Sequence, residues 1–125
     1  MSHPTSKLKR PIELNRVTLA GKLILSAITD LKRERNKQGD LKGFHCDQYA
    51  DGCGIPLEIG DISYGLYISK EIYVDIKNNF KGYDYMYVLV EGQLTPGNDV
   101  YNDDRFVYPI VVDVDNIIVL KKQEI

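Results

Sequence analysis

The chain lacks tryptophan, has only two cysteines, and contains no uninterrupted run of 18 apolar residues. Without such a run, we expect no membrane-spanning helix. His45, Cys46 and Cys53 are possible metal ligands, but their spacing fits neither a Cys-x-x-Cys knuckle nor a zinc-binding pair of histidines. We therefore predict no metal site. Two free thiols are the default in a reducing compartment, and a disulfide is the alternative in an oxidising one.

Motifs of catalysis are also missing. No glycine-rich phosphate loop precedes a helix, and no serine nucleophile elbow is present. Asp99, Asp103 and Asp104 lie in a polar segment without the regular spacing of a calcium loop. The sequence therefore predicts a protein that is not an enzyme and needs no cofactor.

The charge is small in total but unevenly distributed. The net charge is −2, with a balance of +6 over residues 1–43 and −8 over residues 44–125. A local basic zone can follow a phosphate backbone on a weakly acidic protein, and the run 32–37 can equally be a solvated loop. Residues 1–12 are polar and lack an apolar stretch of signal-peptide length, so we predict a flexible leader and a cytoplasmic protein.

Two segments alternate apolar and polar residues and contain a glycine beside a charged residue. In residues 16–28, Gly21 interrupts an apolar row. In residues 83–94, Gly92 follows Glu91. Glycines at such positions let a strand coil sharply, as the strands of a small closed barrel must. We therefore predict that both segments are bent barrel strands.

The remaining segments indicate a chain of mostly short strands. Ser69 as a cap and a four-residue apolar repeat predict a helix over 69–80, although alternation over 72–76 suits a strand equally. The other predictions are a loop or hairpin tip at 30–43, strands at 44–49, 55–59, 63–69 and 106–114, a tight turn at 51–54, a loop at 95–105, and a turn at 115–116 before an extension at 117–120. This order predicts an all-β fold with one short helix, a five-stranded OB-fold barrel over residues 13–120, with a tail at 121–125. A small β-sandwich is the alternative.

Three stretches carry a resemblance to a known family. Asn15-Arg-Val-Thr-Leu-Ala-Gly-Lys-Leu23, Lys81-Gly82 before Val88-Leu-Val-Glu-Gly-Gln-Leu94, and the region from Arg105 to Leu120 are similar to single-stranded DNA-binding proteins of bacteria and their phages. The similarity covers about half of the chain, and residues 30–80 depart from it. The short tail is not acidic, which argues against tail-mediated recruitment of replication proteins and for a phage or divergent member.

The resemblance implies sequence-independent binding of single-stranded DNA in replication or recombination, by a homo-oligomer (dimer or tetramer) that pairs through the edge of strand one. Such binding uses cations along the backbone and aromatic rings under the bases. The candidate cations are Arg16, Lys22, Lys32, Arg33, Arg35, Lys37, Lys42 and Arg105. The candidate rings are Tyr67, Tyr83, Tyr85, Tyr87, Tyr101, Phe106 and Tyr108.

Two alternatives stay open. The ladder Tyr83, Tyr85 and Tyr87 fits a stacking platform, a core face or a subunit interface equally in its spacing. Phe44 fits an anchor for a loop end better than a platform. A protein-binding OB or sandwich module, such as an immunity or assembly protein without nucleic-acid binding, is the rival function, because the acidic balance of residues 44–125 suits a basic partner.

Overall fold

The computed structural model describes residues 15–46, 49–79, 82, 84–97 and 108–122. Seven strands and one helix lie within these ranges. In chain order they are β1 (Arg16–Ile24), β2 (Thr29–Arg35), β3 (Leu41–Cys46), β4 (Gly52–Ile59), β5 (Ile62–Ser69), α1 (Lys70–Asn79), β6 (Tyr85–Pro96) and β7 (Ile110–Lys122).

Five of the strands form a closed barrel. Neighbouring strands follow the order β1-β6-β7-β5-β4, and β4 pairs again with β1 at Lys22↔Glu58 and Leu23↔Leu57. Only the β5–β7 pairing in the ring is parallel, and α1 connects β5 to β6. The predicted OB-fold-like barrel is thus confirmed, and the sandwich alternative is wrong.

The two glycines singled out in the sequence lie where a neighbouring strand approaches closely. A Cβ on Gly21 would meet the Glu58 carbonyl oxygen at 2.6 Å, beside the β1–β4 pairs that close the ring. Gly92 lies at a register shift between β6 and β7, within 2.4 Å of the Asp113 carbonyl oxygen by the same measure. At both positions the neighbouring strand leaves no room for a side chain, so only glycine fits.

The barrel interior is filled by alternate residues of the five strands. Met86, Val88 and Val90 have no exposed surface and pack with Leu23. The alternation seen in the sequence therefore assigned the inward face of β6 correctly. Members of this core also come from β4, β5, β7 and α1, namely Cys53, Ile55, Leu57, Leu66, Ile68, Ile76, Val112 and Val114.

The helix forms as its cap predicts, since the Ile72 amide donates to the Ser69 hydroxyl oxygen at 3.5 Å. The alternative strand at 72–76 is wrong. Residues 30–43 contain the predicted hairpin tip in the turn between β2 and β3, but the rest of this range is strand. Two other expectations are wrong, since residues 52–54 belong to β4 rather than to a turn and β7 continues through residues 115–116.

Strands β2 and β3 form a two-stranded ribbon that continues from β1 and leads into β4. Its base pairs with β4 from Thr29↔Gly54 to Leu31↔Gly52, and its two strands pair from Leu31↔Cys46 to Arg35↔Leu41. We call β2, β3 and the turn between them the ribbon. It is the largest addition to the five-stranded ring among the described residues, and it positions most of the predicted cations.

Candidate nucleic-acid interface

The ribbon lies against the outside of the barrel and does not project into solvent. Leu31 and Phe44, on its inner side, pack against Tyr67 of β5 and Val111 of β7. None of the four is more than 1% exposed. Burial of this much apolar surface, about 1.5–3 kcal/mol per large side chain, holds the ribbon to the barrel.

The ring of Tyr67 is covered by side chains of the ribbon. The Phe44 ring stacks on it with centroids 4.7 Å apart and planes at 26°, and the Arg33 guanidinium lies 4.4 Å from its centroid. Phe44 is therefore an anchor, as its sequence context favoured. Tyr67 was predicted to stack on DNA bases, but in this arrangement its ring has no exposed surface to offer a base.

A polar network surrounds the buried ring. Arg33 forms an ion pair with Asp113 of β7 at 3.0 Å, and the Tyr67 hydroxyl donates to the Asp51 carboxylate. The Arg33 backbone amide also donates to Asp51, at 3.2 Å. The guanidinium predicted to contact phosphate is therefore turned inward, where it ties the ribbon to β7.

The environment of the network changes its titration. Burial and the hydrogen bond to Asp51 raise the pKa of the Tyr67 hydroxyl. Burial raises the pKa of Asp113 above its ordinary value of 3.8, although Arg33 acts in the opposite direction. Burial disfavours the charged Arg33, but the attraction and hydrogen bond of Asp113, together with Tyr67 and Asp51, outweigh this and raise the pKa of Arg33. Arg33 thus stays charged at any ordinary pH.

The other ribbon cations remain on the outside. Lys42 pairs with Glu34 at 3.2 Å, and Glu34 also lies 3.4 Å from His45 Nδ1. Lys32 is half-buried, and Arg35 and Lys37 are exposed. Arg35 donates to the Gly39 carbonyl oxygen at 3.0 Å. Within the described part of the chain, none of Lys32, Arg35 and Lys37 forms an ion pair with an acid.

The far end of the ribbon reaches the two residues that flank the connection between β6 and β7. A Cβ on Gly43 would lie 2.8 Å from the Gly97 carbonyl oxygen, so the two backbones nearly touch. Leu41 and Tyr108 pack against the buried ribbon cluster. The Tyr108 and Ser63 hydroxyls share a hydrogen bond of 3.0 Å. The ribbon is therefore adjacent to Gly97 and Tyr108, the described residues on either side of segment 98–107. In the strand order of the barrel, the ribbon and this segment take the places of the two connections with which OB folds hold oligonucleotides.

A second group of predicted residues lies on the outer side of β1 and β6. The Lys22 ammonium lies 4.3 Å from the centroid of the Tyr85 ring, and Tyr85 meets Tyr87 edge to face at 5.7 Å. The core interpretation of the ladder is wrong for Tyr85 and Tyr87, because their neighbours Met86 and Val88 fill the interior. Arg16 forms an ion pair with Asp115 on β7.

The structure thus separates the candidate residues instead of bringing them into one groove. The ribbon covers β5 and β7, whereas Lys22, Tyr85 and Tyr87 lie on β1 and β6. Four candidates, Tyr83, Tyr101, Arg105 and Phe106, lie outside the described residues. The sequence did not single out Asp51 and Asp113 as partners of Arg33. The alternation of Leu31 and Arg33 was the one local signal that both face the same side.

Other site chemistry is limited in the described ranges. Cys53 carries a free thiol, which is buried among core residues. No three histidine, cysteine or acidic side chains of the described residues converge on a possible metal position. No helix in these ranges is long and apolar enough to cross a membrane.

Comparison with known proteins adds no relative. No protein-family model, no curated protein and no solved structure matches this chain.

Proposed function

We propose that the protein binds single-stranded DNA without sequence preference, along the outer side of the ribbon and the adjoining β6–β7 connection. The observation that carries this proposal is that Lys32, Arg35 and Lys37 form no ion pair with the acidic side chains that the structure describes. They lie on an element that extends one side of an OB-fold-like barrel. Cations without an acidic partner release counterions from a phosphate backbone when they bind it.

The proposed roles follow the positions of the side chains. Lys32, Arg35 and Lys37 contact successive phosphates, and Lys42 contributes less because Glu34 already balances its charge. Tyr108 stands at the junction of ribbon and barrel and offers a half-buried ring for stacking. Tyr101, Arg105 and Phe106 belong to the same connection in sequence, so we assign them to the same interface. Tyr67 and Arg33 support the ribbon from below and do not touch the ligand.

The proposed activity is binding, without catalysis, and the proposed setting is cytoplasmic replication or recombination of DNA, including that of a phage. The free thiol of Cys53 suits a reducing compartment. The resemblance of β1 and β6 to single-stranded DNA-binding proteins supports the choice of DNA as the ligand. Competition of poly-U and duplex DNA against labelled oligo-dT ranks the three kinds of nucleic acid.

The test is a titration of fluorescent oligo-dT at a series of salt concentrations. We expect tight binding at low salt, with a log–log slope of about −0.7 for each neutralised phosphate. The double variant Lys32→Glu, Lys37→Glu should weaken binding and reduce the magnitude of the slope by about 1.4, which is 0.7 per lysine removed.

The matched control compares Lys77→Glu with Lys37→Glu. Each makes the same change of charge, and Lys77 is an exposed residue in the last turn of α1. Equal losses in these two single variants would mean that only the total charge matters and would remove the ribbon from the interface. No binding by the wild-type protein at low salt would overturn the proposal altogether.

A protein-binding module is the second candidate, and one observation favours it. Tyr67, the outward ring of β5, is covered by the chain itself, and the carboxylates of Asp51 and Asp113 lie beside it. An OB-fold-like barrel that stacks bases on this side would have to leave such a ring open. Absence of oligo-dT binding, together with retained folding, would support this candidate.

A further inference from the structure

The barrel has one end that lies away from the helix. β5 and β7 run parallel to each other and antiparallel to β6, so the end at which β6 finishes is the end at which β5 and β7 begin. α1 starts directly after Ser69, at the opposite end of β5. We call the end of the barrel at which Ile110 begins β7 the Ile110 end.

Three large apolar side chains at the Ile110 end are exposed. Ile62 and Ile110 are each 59% exposed, and Tyr64 is 37% exposed. By strand alternation, Ile62 and Tyr64 share the inward side of β5 with Leu66, and Ile110 shares that of β7 with Val112. Leu66 and Val112 belong to the core. The inward rows of the barrel therefore continue past its last buried layer as an apolar rim.

A groove of about 400 Å³ lies in this rim. It is lined by Asn15, Leu94, Thr95, Pro96 and Ile110. The Thr95 hydroxyl donates to the Val111 carbonyl oxygen at 2.9 Å, so this polar group is already satisfied within the barrel. The volume lies within the range of about 300–1,000 Å³ that is usual for binding pockets. Leu94, Pro96 and Ile110 make the groove suited to an apolar side chain.

Residues 1–14, which we call the N-terminal arm, join the barrel at the wall of this groove. Asn15 lines the groove, and its carbonyl oxygen accepts a hydrogen bond from the Leu94 amide at 2.7 Å. The arm contains Leu8, Ile12 and Leu14, so it can supply apolar side chains directly beside the groove.

The positions of these side chains in the arm match the width of the rim. Neighbouring strands are about 4.8 Å apart, so β7 lies about 10 Å from β1 across β6, and β5 lies about 14 Å away. An extended chain covers about 3.3 Å per residue. Ile12, three residues before Asn15, can therefore reach Ile110, and Leu8, seven residues before Asn15, can reach Tyr64.

The covalent connection allows a small contact to be occupied. A segment attached through a short flexible linker has an effective concentration on the order of millimolar at a nearby site. An apolar rim that is too small to hold a separate molecule can therefore hold the arm. The charges are also complementary, since Lys7, Lys9 and Arg10 belong to the arm and Asp61 is exposed in the β4–β5 turn at the same end.

We propose that the N-terminal arm docks across the Ile110 end, with Ile12 in the groove and Leu8 against Tyr64. The arm then covers the end of the barrel that is opposite the start of α1. The polarity of residues 1–12 predicted a flexible leader, and the proposal gives these residues a binding position instead. The docking position uses the ends of the inward rows and not the ribbon, so the inference does not depend on nucleic-acid binding.

Fluorescence of one inserted tryptophan tests the proposal, because the chain has none of its own. In the full chain with Ile12→Trp, the emission should be blue-shifted from that of the same protein unfolded in urea, and acrylamide should quench it weakly. Ser2→Trp places the indole at the far end of the arm and should give the emission of an indole in water.

A second substitution links the emission to the groove. Ile110→Ser, added to Ile12→Trp, removes an apolar wall of the groove and should move the emission to the red. Val74→Ser is the matched control, because Val74 is an exposed residue of α1, and it should leave the emission of Ile12→Trp unchanged.

Limited proteolysis tests the native arm without an inserted ring. Trypsin cleaves after Lys7 and Lys9 when the arm leaves its site, and the rate follows the population of the open state. Cleavage in Ile110→Ser should be about tenfold faster than in the wild type, which corresponds to 1.4 kcal/mol, whereas Val74→Ser should match the wild type. Mass spectrometry identifies the cut sites, and circular dichroism melting shows that each variant is folded.

Three results would overturn this assignment. They are a water-like emission of Ile12→Trp, an emission that stays blue-shifted in the presence of Ile110→Ser, and equal cleavage of the arm in the wild type and Ile110→Ser. A blue shift that appears only as the concentration rises, together with a two-chain mass, would assign the groove to the arm of a second copy and would also reject docking within one chain. Oligo-dT binding is measured separately, so this inference and the proposed function can fail independently.

Discussion

Phe44 lies nearly parallel to Tyr67, at a centroid distance of 4.7 Å, and the pair joins the ribbon to the barrel. The stack resembles the contact that a base would make with the same tyrosine. The protein fills this position with its own side chain, so the outward ring of β5 stabilises the fold. Binding of a ligand must then use the outer side of the ribbon or another face of the barrel.

Removal of the stacked ring should be costly. Phe44→Ala should lower the free energy of unfolding by about 3–5 kcal/mol, since Phe44 is buried and its loss leaves a cavity over Tyr67. Urea denaturation followed by circular dichroism measures this change. Val74→Ala, at an exposed position, should change stability by no more than about 0.5 kcal/mol. Equal effects of the two substitutions would show that the ribbon contributes little to stability.

Replacement of Arg33 should destabilise the protein in a way that depends on pH. Arg33→Met keeps the unbranched stem but leaves the Asp113 carboxylate without its ion pair, at a cost of about 2 kcal/mol at neutral pH. Arg33 lowers the pKa of Asp113, so the variant should raise that pKa further above 3.8. The stability deficit should therefore shrink as acid protonates Asp113.

Urea titrations at neutral pH and at about pH 4, near the ordinary pKa of an aspartate, compare the two conditions. Lys37→Met is the control, because Lys37 is exposed and forms no ion pair with the acidic side chains that the structure describes. A deficit that is the same at both pH values would mean that the ion pair with Asp113 does not contribute.

The buried thiol predicts a loss of stability in alkali. Burial, with a smaller contribution from Asp30, raises the pKa of Cys53 from 9.0 to about 12. Because the folded-state pKa is the higher one, this contribution is intact below pH 9 and is lost as pH rises toward 12, by about 1.4 kcal/mol per pH unit. Chemical denaturation across this range should show the decline.

Cys53→Ala should flatten the decline, and Cys46→Ala provides a background in which only one thiol titrates. Tyr67 adds to the decline at higher pH, since its pKa is also raised in the folded state. An unchanged alkaline profile in Cys53→Ala would assign the loss of stability to Tyr67 or to other groups.

Closure of the barrel should depend on Gly21. In Gly21→Ala the new methyl group would meet the Glu58 carbonyl oxygen at 2.6 Å and the Ile59 Cγ1 atom at 2.9 Å. We expect a destabilisation of about 1–3 kcal/mol from overpacking, measured by thermal or urea unfolding. Gly39→Asn is the control, because nothing lies within 4 Å of a Cβ there and asparagine tolerates a positive φ. A stable Gly21→Ala variant would show that β4 can move away from β1 without cost.

The barrel was predictable because its strands carry their own signal. Met86, Val88 and Val90 alternate with outward residues, and Gly21 and Gly92 occupy positions that no larger residue fits. The cap of α1 is equally local, since Ser69 accepts from an amide three residues later. Features that depend on neighbours in the chain can be deduced from one sequence.

The ribbon was not predictable for the opposite reason. Leu31 and Phe44 are buried only because Tyr67 and Val111, far along the chain, supply the surface beneath them. Arg33 points inward because it donates a hydrogen bond to Asp113, which lies 80 positions later in the chain. The sequence alone does not show these distant partners. Without them, a charged segment with a few apolar residues on one side is typical of a solvated loop. For the same reason, the sequence did not show that Lys22 and Tyr85 lie on a different part of the barrel from the ribbon cations.

The closed ring also determines how the chain must fold. Its first strand pairs along its whole length with β6, and Arg16 meets Asp115 across a separation of 99 positions. The chain must therefore bring segments that are far apart in sequence into contact before β1 is fully paired. Proteins dominated by such distant pairings fold in milliseconds to seconds, whereas helical bundles need only microseconds to milliseconds. Closure of the barrel should therefore be slow. Until it is complete, the unpaired strand β1 and the outward tyrosines of β6 are exposed and can take part in misassembly.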